Sequence, residues 1–186
     1  MKRPALKVCG VNEAAFARRA EALGADYLGF IFAAGSPRRV NADEACGLVA
    51  GLAGSARTVG VFTDSSVDEI LAVAGRVGFR IVQLHRRGTS ADVAALKARG
   101  FEVWTLAGGS ETADGLLFDS SHGDGETVLR RGAWKAILAG GISVDNVGAA
   151  FASGADIIDV SGSLESAKGV KSIPRLEAFF AAVRDL

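Results

Sequence analysis

Eight short runs of apolar and β-branched residues recur along this chain, and between most of them lies a longer stretch whose apolar residues return every three to four positions. The runs cover residues 5–9, 27–32, 57–62, 80–85, 102–107, 115–119, 135–139 and 156–161, and their length and composition predict strands. The stretches at 12–23, 41–52, 66–77, 89–100, 143–153 and 172–186 predict helices, several of them opening on Ser, Thr or Asn as caps. Gly24, Gly78, Gly100 and Gly154 stand where helices should end in the left-handed conformation before the next strand.

Strands alternating with helices predict a parallel sheet, and eight of them favour a closed (β/α)8 TIM barrel over an open doubly wound sheet. Length sets a second condition. Barrels of this kind usually need about 250 residues, and the chain has 186. Elements must be shortened or missing. Only residues 108–114 separate the fifth and sixth strands, too few for a crossover helix, so helix five is expected to be absent. Residues 120–134 leave room for a short sixth helix. No internal repeat or linker interrupts the pattern, and one domain is expected over residues 1–186.

Nearly half the residues (49%) are hydrophobic, enough for a sizeable core, and 24 glycines against 3 prolines suit many tight connections. Basic and acidic residues balance at 21 each, and no basic tract exceeds a pair, so the sequence carries no electrostatic footprint for nucleic acid or an anionic membrane. A small-molecule ligand and a monomer are expected. The opening residues are broken by Pro4 and Lys7 and do not form a signal-peptide core, and no uncharged apolar run approaches the roughly 20 residues of a spanning helix. The expected location is the cytoplasm. Cys9 and Cys46 have no metal-ligand spacing, and a disulfide between them would be unusual in a reducing compartment.

In such barrels chemistry gathers at the C-terminal ends of the strands. There the sequence places Cys9, His85, Asp119, Asp159 and Ser161. Alternation puts Lys7 and Cys9 on one face, as it does Gln83 with His85 and Asp159 with Ser161. Bland readings stand beside functional ones. A lone cysteine at a strand end is more often a small buried hydrophobe, and Cys46, within the apolar stripe of its helix, reads as core. His85 equally fits a loop residue bonded to backbone, and Asp119 a turn cap. Lys7 and Asp159, on strands that become neighbours when a barrel closes, read as a structural ion pair. Phosphate binding is the more specific signal: "AGGIS" (139–143) and "VSGSLES" (160–166) put small residues after strands seven and eight, where barrels commonly bind phosphate on backbone amides. After strand two, "GSPRRV" (35–40) offers Arg38 as a carboxylate clamp, while Arg39 reads as solvated surface.

Taken in order, "KVCG", "LGFIF" with "SPRRV", "VGVF", "VQLH", "LLFDSS", "ILAGGIS" and "DVSGSLESAKGVKS" resemble the phosphoribosylanthranilate isomerases of tryptophan biosynthesis, from about residue 6 to the C-terminus. The resemblance implies an Amadori rearrangement of N-(5-phosphoribosyl)anthranilate to 1-(2-carboxyphenylamino)-1-deoxyribulose 5-phosphate, without metal or cofactor. It implies Cys9 as base, Asp119 as acid, and Arg38 on the anthranilate carboxylate. Gly140, Gly141, Ser161 and Gly162 would cradle the phosphate, and His85 belongs with the substrate-binding residues. As base, Cys9 must ionise below its usual pKa of about 8.5, which a nearby cation such as Lys7 or the bound iminium could promote.

Three segments depart from the family pattern. Arg86 and Arg87 follow "QLH" where a small residue is common, "SHGDGE" brings Asp124 and Glu126 toward the mouth, and "DVSGSLE" shuffles the small residues meant for phosphate. Added carboxylates near a dianion weaken its binding, and Arg86 or Arg87 is expected to offset them. Two rival readings compete. The related isomerase of histidine biosynthesis carries aspartate at the strand-one position and phosphate loops in both halves, neither of which is seen here. A degenerate barrel kept as a scaffold would have no reason to retain Cys9, Arg38 and Asp119 together.

Overall fold

The computed structural model describes residues 3–119, 132–184 and 186. Eight parallel strands, β1 (Ala5–Cys9), β2 (Tyr27–Ile31), β3 (Arg57–Phe62), β4 (Ile81–Leu84), β5 (Glu102–Leu106), β6 (Gly115–Asp119), β7 (Lys135–Ala139) and β8 (Ile157–Val160), close in chain order into a barrel. Closure runs through β1 and β8, in a register that sets Lys7 opposite Asp159. Around the strands pack α1 (Ala14–Ala22), α2 (Ala42–Ala50), α3 (Val67–Val77), α4 (Ser90–Lys97), α5 (Val147–Ala152) and α6 (Ile173–Arg184). No described helix is long and apolar enough to cross a membrane.

Both faces of the strands are buried, so alternation sorts side chains into two cores rather than into inside and solvent. Leu6, Val8, Val82, Leu84, Ile158 and Val160 point outward into the layer beneath the helices. Cys9, Val59, Val61, Trp104, Leu117 and Ile157 point inward and fill the barrel. On β2 the inward position paired with Cys9 is Gly29. A Cβ there would lie 2.9 Å from Cys9 Sγ and 3.2 Å from Lys7 Nζ, so the polar side chains of β1 occupy space that only glycine leaves.

Helix signals worked where capping chemistry was local. Asn41, Ser66 and Thr89 each form a capping box, with Glu44, Glu69 and Asp92 respectively. Gly24, Gly78, Gly100 and Gly154 all have φ between +80° and +97°. The β5–β6 connection consists of turns with no helix, and its Ala113 is 5% exposed, joining the outer core. The stretch predicted as a helix over 143–153 yields only Val147–Ala152, because Asn146 accepts from the Ser143 N–H at 2.8 Å and donates to the Gly141 carbonyl at 2.9 Å instead of capping a longer helix. After β8 come a 3-10 turn (Gly162–Leu164) and an antiparallel hairpin of β9 (Glu165–Ala167) and β10 (Val170–Lys171), neither read from the sequence. The short sixth helix expected within 120–134, with Asp124 and Glu126, lies largely outside the described residues.

Candidate active site

Cys9, Arg38, His85, Asp119, Gly140, Gly141, Ser161 and Gly162 all line one cavity of about 430 Å³ at the C-terminal mouth of the barrel. They arrive on six different strands or the loops after them, so residues far apart in sequence meet because parallel strands all end on the same side. A larger hollow, about 790 Å³, lies at the opposite end, where β5 to β7 begin. There Lys97 pairs with Asp114 at 2.7 Å and Lys135 with Glu102 at 2.6 Å, which reads as a structural face.

The thiol of Cys9 is 7% exposed. One layer below it, Lys7 Nζ meets Asp159 Oδ2 at 2.6 Å, the ion pair expected across the closing seam. Burial works against the Lys7 ammonium, but Asp159 and Cys9 together offset it and the Lys7 pKa is raised. Burial also pushes the Cys9 thiol up, and the opposing pull of Lys7 does not offset it while Asp159 acts in the same direction as burial. Of the two cations expected to acidify Cys9, Lys7 is already paired with Asp159 and does not bring the thiol below its ordinary value.

Asp119, 10% exposed, ends β6 with Oδ2 at 3.8 Å from His85 Nε2, and Gln83 Nε2 approaches His85 Nδ1 at 3.5 Å. Among the described residues, Gln83 Oε1 and Asp159 Oδ1 are buried without a hydrogen-bond partner, and both residues line the cavity. Gly140 and Gly141 take φ of +87° and +65°, a consecutive left-handed pair that other residues rarely adopt. Ser161 Oγ donates to the Cys9 carbonyl at 3.0 Å, and Ser163 Oγ to the Ile142 carbonyl at 2.5 Å, tying the two small-residue loops to the rim.

Arg38 donates from Nε and Nη2 to Glu165, at 2.5 and 2.9 Å. Burial would raise the Glu165 pKa, but the Arg38 guanidinium, the Gly169 N–H and Lys171 overcome it and hold the carboxyl at about 2. Sequence reading missed Glu165 and Lys171, because a hairpin of three and two residues is too short for any period to register. Arg39 is exposed, as expected. Arg86 is not the compensating cation proposed from sequence: it pairs with Asp92 of the α4 capping box at 2.8 Å, and neither it nor Arg87 lines the cavity.

Residues 6–182 match the family model described as N-(5'phosphoribosyl)anthranilate (PRA) isomerase. The chain belongs to the N-(5'-phosphoribosyl)anthranilate isomerase family. It is 34% identical to the N-(5'-phosphoribosyl)anthranilate isomerase of Granulibacter bethesdensis, over 97% of this chain and 98% of that one. With the Pseudomonas putida F1 isomerase it shares 35% identity, covering 96% of each. Among solved structures, TrpF from Jonesia denitrificans superposes with a TM-score of 0.86 at 30% identity, over 97% of both chains. As a phosphoribosylanthranilate isomerase the chain is an aldose–ketose isomerase of tryptophan biosynthesis, which decides against the histidine-pathway and scaffold readings.

Proposed function

We propose that Cys9 and Asp119 are the base and acid of this isomerase. Asp119, carrying a proton, delivers it to the furanose oxygen of N-(5'-phosphoribosyl)anthranilate as the C1'–O bond breaks, leaving an iminium at C1'. The Cys9 thiolate removes the C2' proton, and the electron pair flows into the iminium to give an enolamine that tautomerises to the aminoketone. Burial holds the Cys9 pKa up, and the Asp159-bound Lys7 does not offset it. The iminium supplies a further positive charge, so acidity at the thiol develops with the intermediate that needs the base.

Arg38 would hold the anthranilate carboxylate, and the glycine pair 140–141 with Ser161 and Gly162 the phosphate. Gln83 Oε1 and Asp159 Oδ1 offer buried acceptors for ribose hydroxyls. What carries the reading is the convergence of a thiol, a carboxylic acid, a guanidinium and two small-residue loops on one cavity of about 430 Å³, a volume suited to one small ligand. We further place the enzyme in the cytoplasm as a monomer: both cysteines are free, and among the described residues only Val144, Val170 and Leu186 are large exposed hydrophobics.

Complementation of a tryptophan-requiring strain that lacks this isomerase tests the activity, and purified variants test the roles. Cys9→Ser and Asp119→Asn should each lower kcat at least about 100-fold, the size of lost acid or base catalysis. Cys46→Ser, whose thiol merely donates to the Arg76 carbonyl at 3.4 Å, should change little. Near-normal turnover by either of the first two variants overturns the assignment.

A further inference from the structure

Arg38 is held from two sides, and Pro37 beside it from a third. Glu165, 4% exposed, grips the Nε and Nη2 edge at 2.5 and 2.9 Å. At Gly10, with φ +71°, a Cβ would lie 2.5 Å from Arg38 Cδ, so the arginine stem runs through space only a glycine vacates. Gly169, at φ +84°, lets the hairpin close over Pro37, whose carbonyl would be 2.7 Å from a Cβ there, and its N–H donates to Glu165 Oε2 at 3.0 Å. Among the described residues nothing hydrogen-bonds the Nη1 edge, and Arg38 lines the cavity. Behind Glu165, the fully buried Lys171 lies 3.1 Å from Oε1 and donates to the Ser161 carbonyl at 3.0 Å. One carboxylate between two cations leaves a single net positive charge, which matches one ligand carboxylate.

We propose that Glu165 is a positioning residue for substrate specificity. By locking the Arg38 guanidinium from behind, it presents the remaining edge as a preformed clamp for the ring carboxylate. Through Lys171 it joins that clamp to the loop of Ser161, fixing the distance between the two anion grips. A preset arginine surrenders less rotamer entropy on binding than a free one. The proposal rests on the reading that Arg38 binds the anthranilate carboxylate.

Charge alone and positioning predict opposite signs for Glu165→Gln. Deleting a carboxylate beside an anion site tightens binding by Coulomb attraction, whereas releasing Arg38 weakens it. Calorimetry on the full-length chain with two probes separates them: reduced 1-(2-carboxyphenylamino)-1-deoxyribulose 5-phosphate, and the same compound with an unsubstituted phenyl ring. Glu165→Gln should weaken the carboxylated probe about 10-fold, the range of a lost charge-assisted contact, and the phenyl probe less than about 2-fold. In turnover, KM should rise more than kcat falls. Equal or tighter binding of the carboxylated probe, or parallel loss of both, overturns the proposal. Arg38→Ala provides the control. If it leaves the preference for the carboxylated probe intact, the Arg38 reading fails and this proposal with it. If it abolishes the preference while Glu165→Gln retains it, only the positioning role fails. Should Glu165→Gln not fold, Gly10→Ala displaces the stem from the opposite side, and an unchanged preference there overturns the proposal equally.

Discussion

The Cys9 thiol shares an inward face with Lys7, and the ion pair already closed beneath it decides how far that cation can acidify it. Burial opposes the thiolate, Lys7 favours it, and Asp159 cancels part of what Lys7 offers. In a Cys46→Ser background, alkylation of Cys9 by iodoacetamide should therefore titrate above the usual thiol value of about 8.5. Asp159→Asn leaves Lys7 unpaired, so the same titration should move to lower pH and alkylation at pH 8 should accelerate. A midpoint near 7 in the unmodified pair, or no movement in the variant, would remove Lys7 and Asp159 from the account of Cys9 acidity. Period-two alternation with barrel closure made the Lys7–Asp159 contact legible in the sequence. The direction of the thiol shift was not legible, because it depends on whether the lysine's charge is spent, a property of distances rather than of residue types. Glu165 escaped for a different reason: its strand of three residues is too short for any period to register.

Elements whose ends are set by neighbouring residues were the easiest to read. In α3, Ser66 Oγ accepts the Glu69 N–H at 3.3 Å while Glu69 returns a carboxylate to the Ser66 N–H at 2.7 Å, and Gly78 ends the helix at φ +87°. All three residues lie within or next to the helix they bound, so the motif is complete in the local sequence. Ser66→Ala removes one half of that box, and a loss of about 1 kcal/mol is expected from urea unfolding, with activity unaffected because the cap does not line the cavity. No measurable loss would mean that packing of Ile70, Ala74 and Val77 alone holds the helix. α5 shows the converse. Asn146 reads locally as a helix residue, yet its side chain is committed to Ser143 and Gly141 in the loop above the cavity, and the helix is shortened to six residues. A tertiary demand at the site overrides the propensity of the element that carries it.

At the scale of the whole barrel, closure depends on one seam in which buried charges replace apolar contacts. β1 and β8 pair from Ala5 with Ile157 to Val8 with Val160, and within that register Lys7, fully buried, meets Asp159 across the seam. Closure leaves no strand edge exposed, so a weakened seam threatens the sheet as a unit rather than one strand of it. Lys7→Met keeps the stem and deletes the charge, leaving Asp159 buried without its cation; about 3–5 kcal/mol of stability should be lost at neutral pH. The loss should depend on pH in a defined direction. Burial already pushes the Asp159 carboxyl up, and without Lys7 nothing comparable opposes it. A carboxyl whose folded pKa lies above its unfolded one favours the folded state below the unfolded value and withdraws that support as pH rises through the folded value. The melting temperature of Lys7→Met, measured against that of the parent chain, should therefore fall further behind from pH 5 to pH 8. Combining Lys7→Met with Asp159→Leu removes both charges, and most of the stability should return with the excess pH dependence gone. If the single variant trails the parent equally at every pH, the pair is not ionic in the folded barrel, and the seam is held by its apolar neighbours Leu6, Val8, Ile158 and Val160 alone.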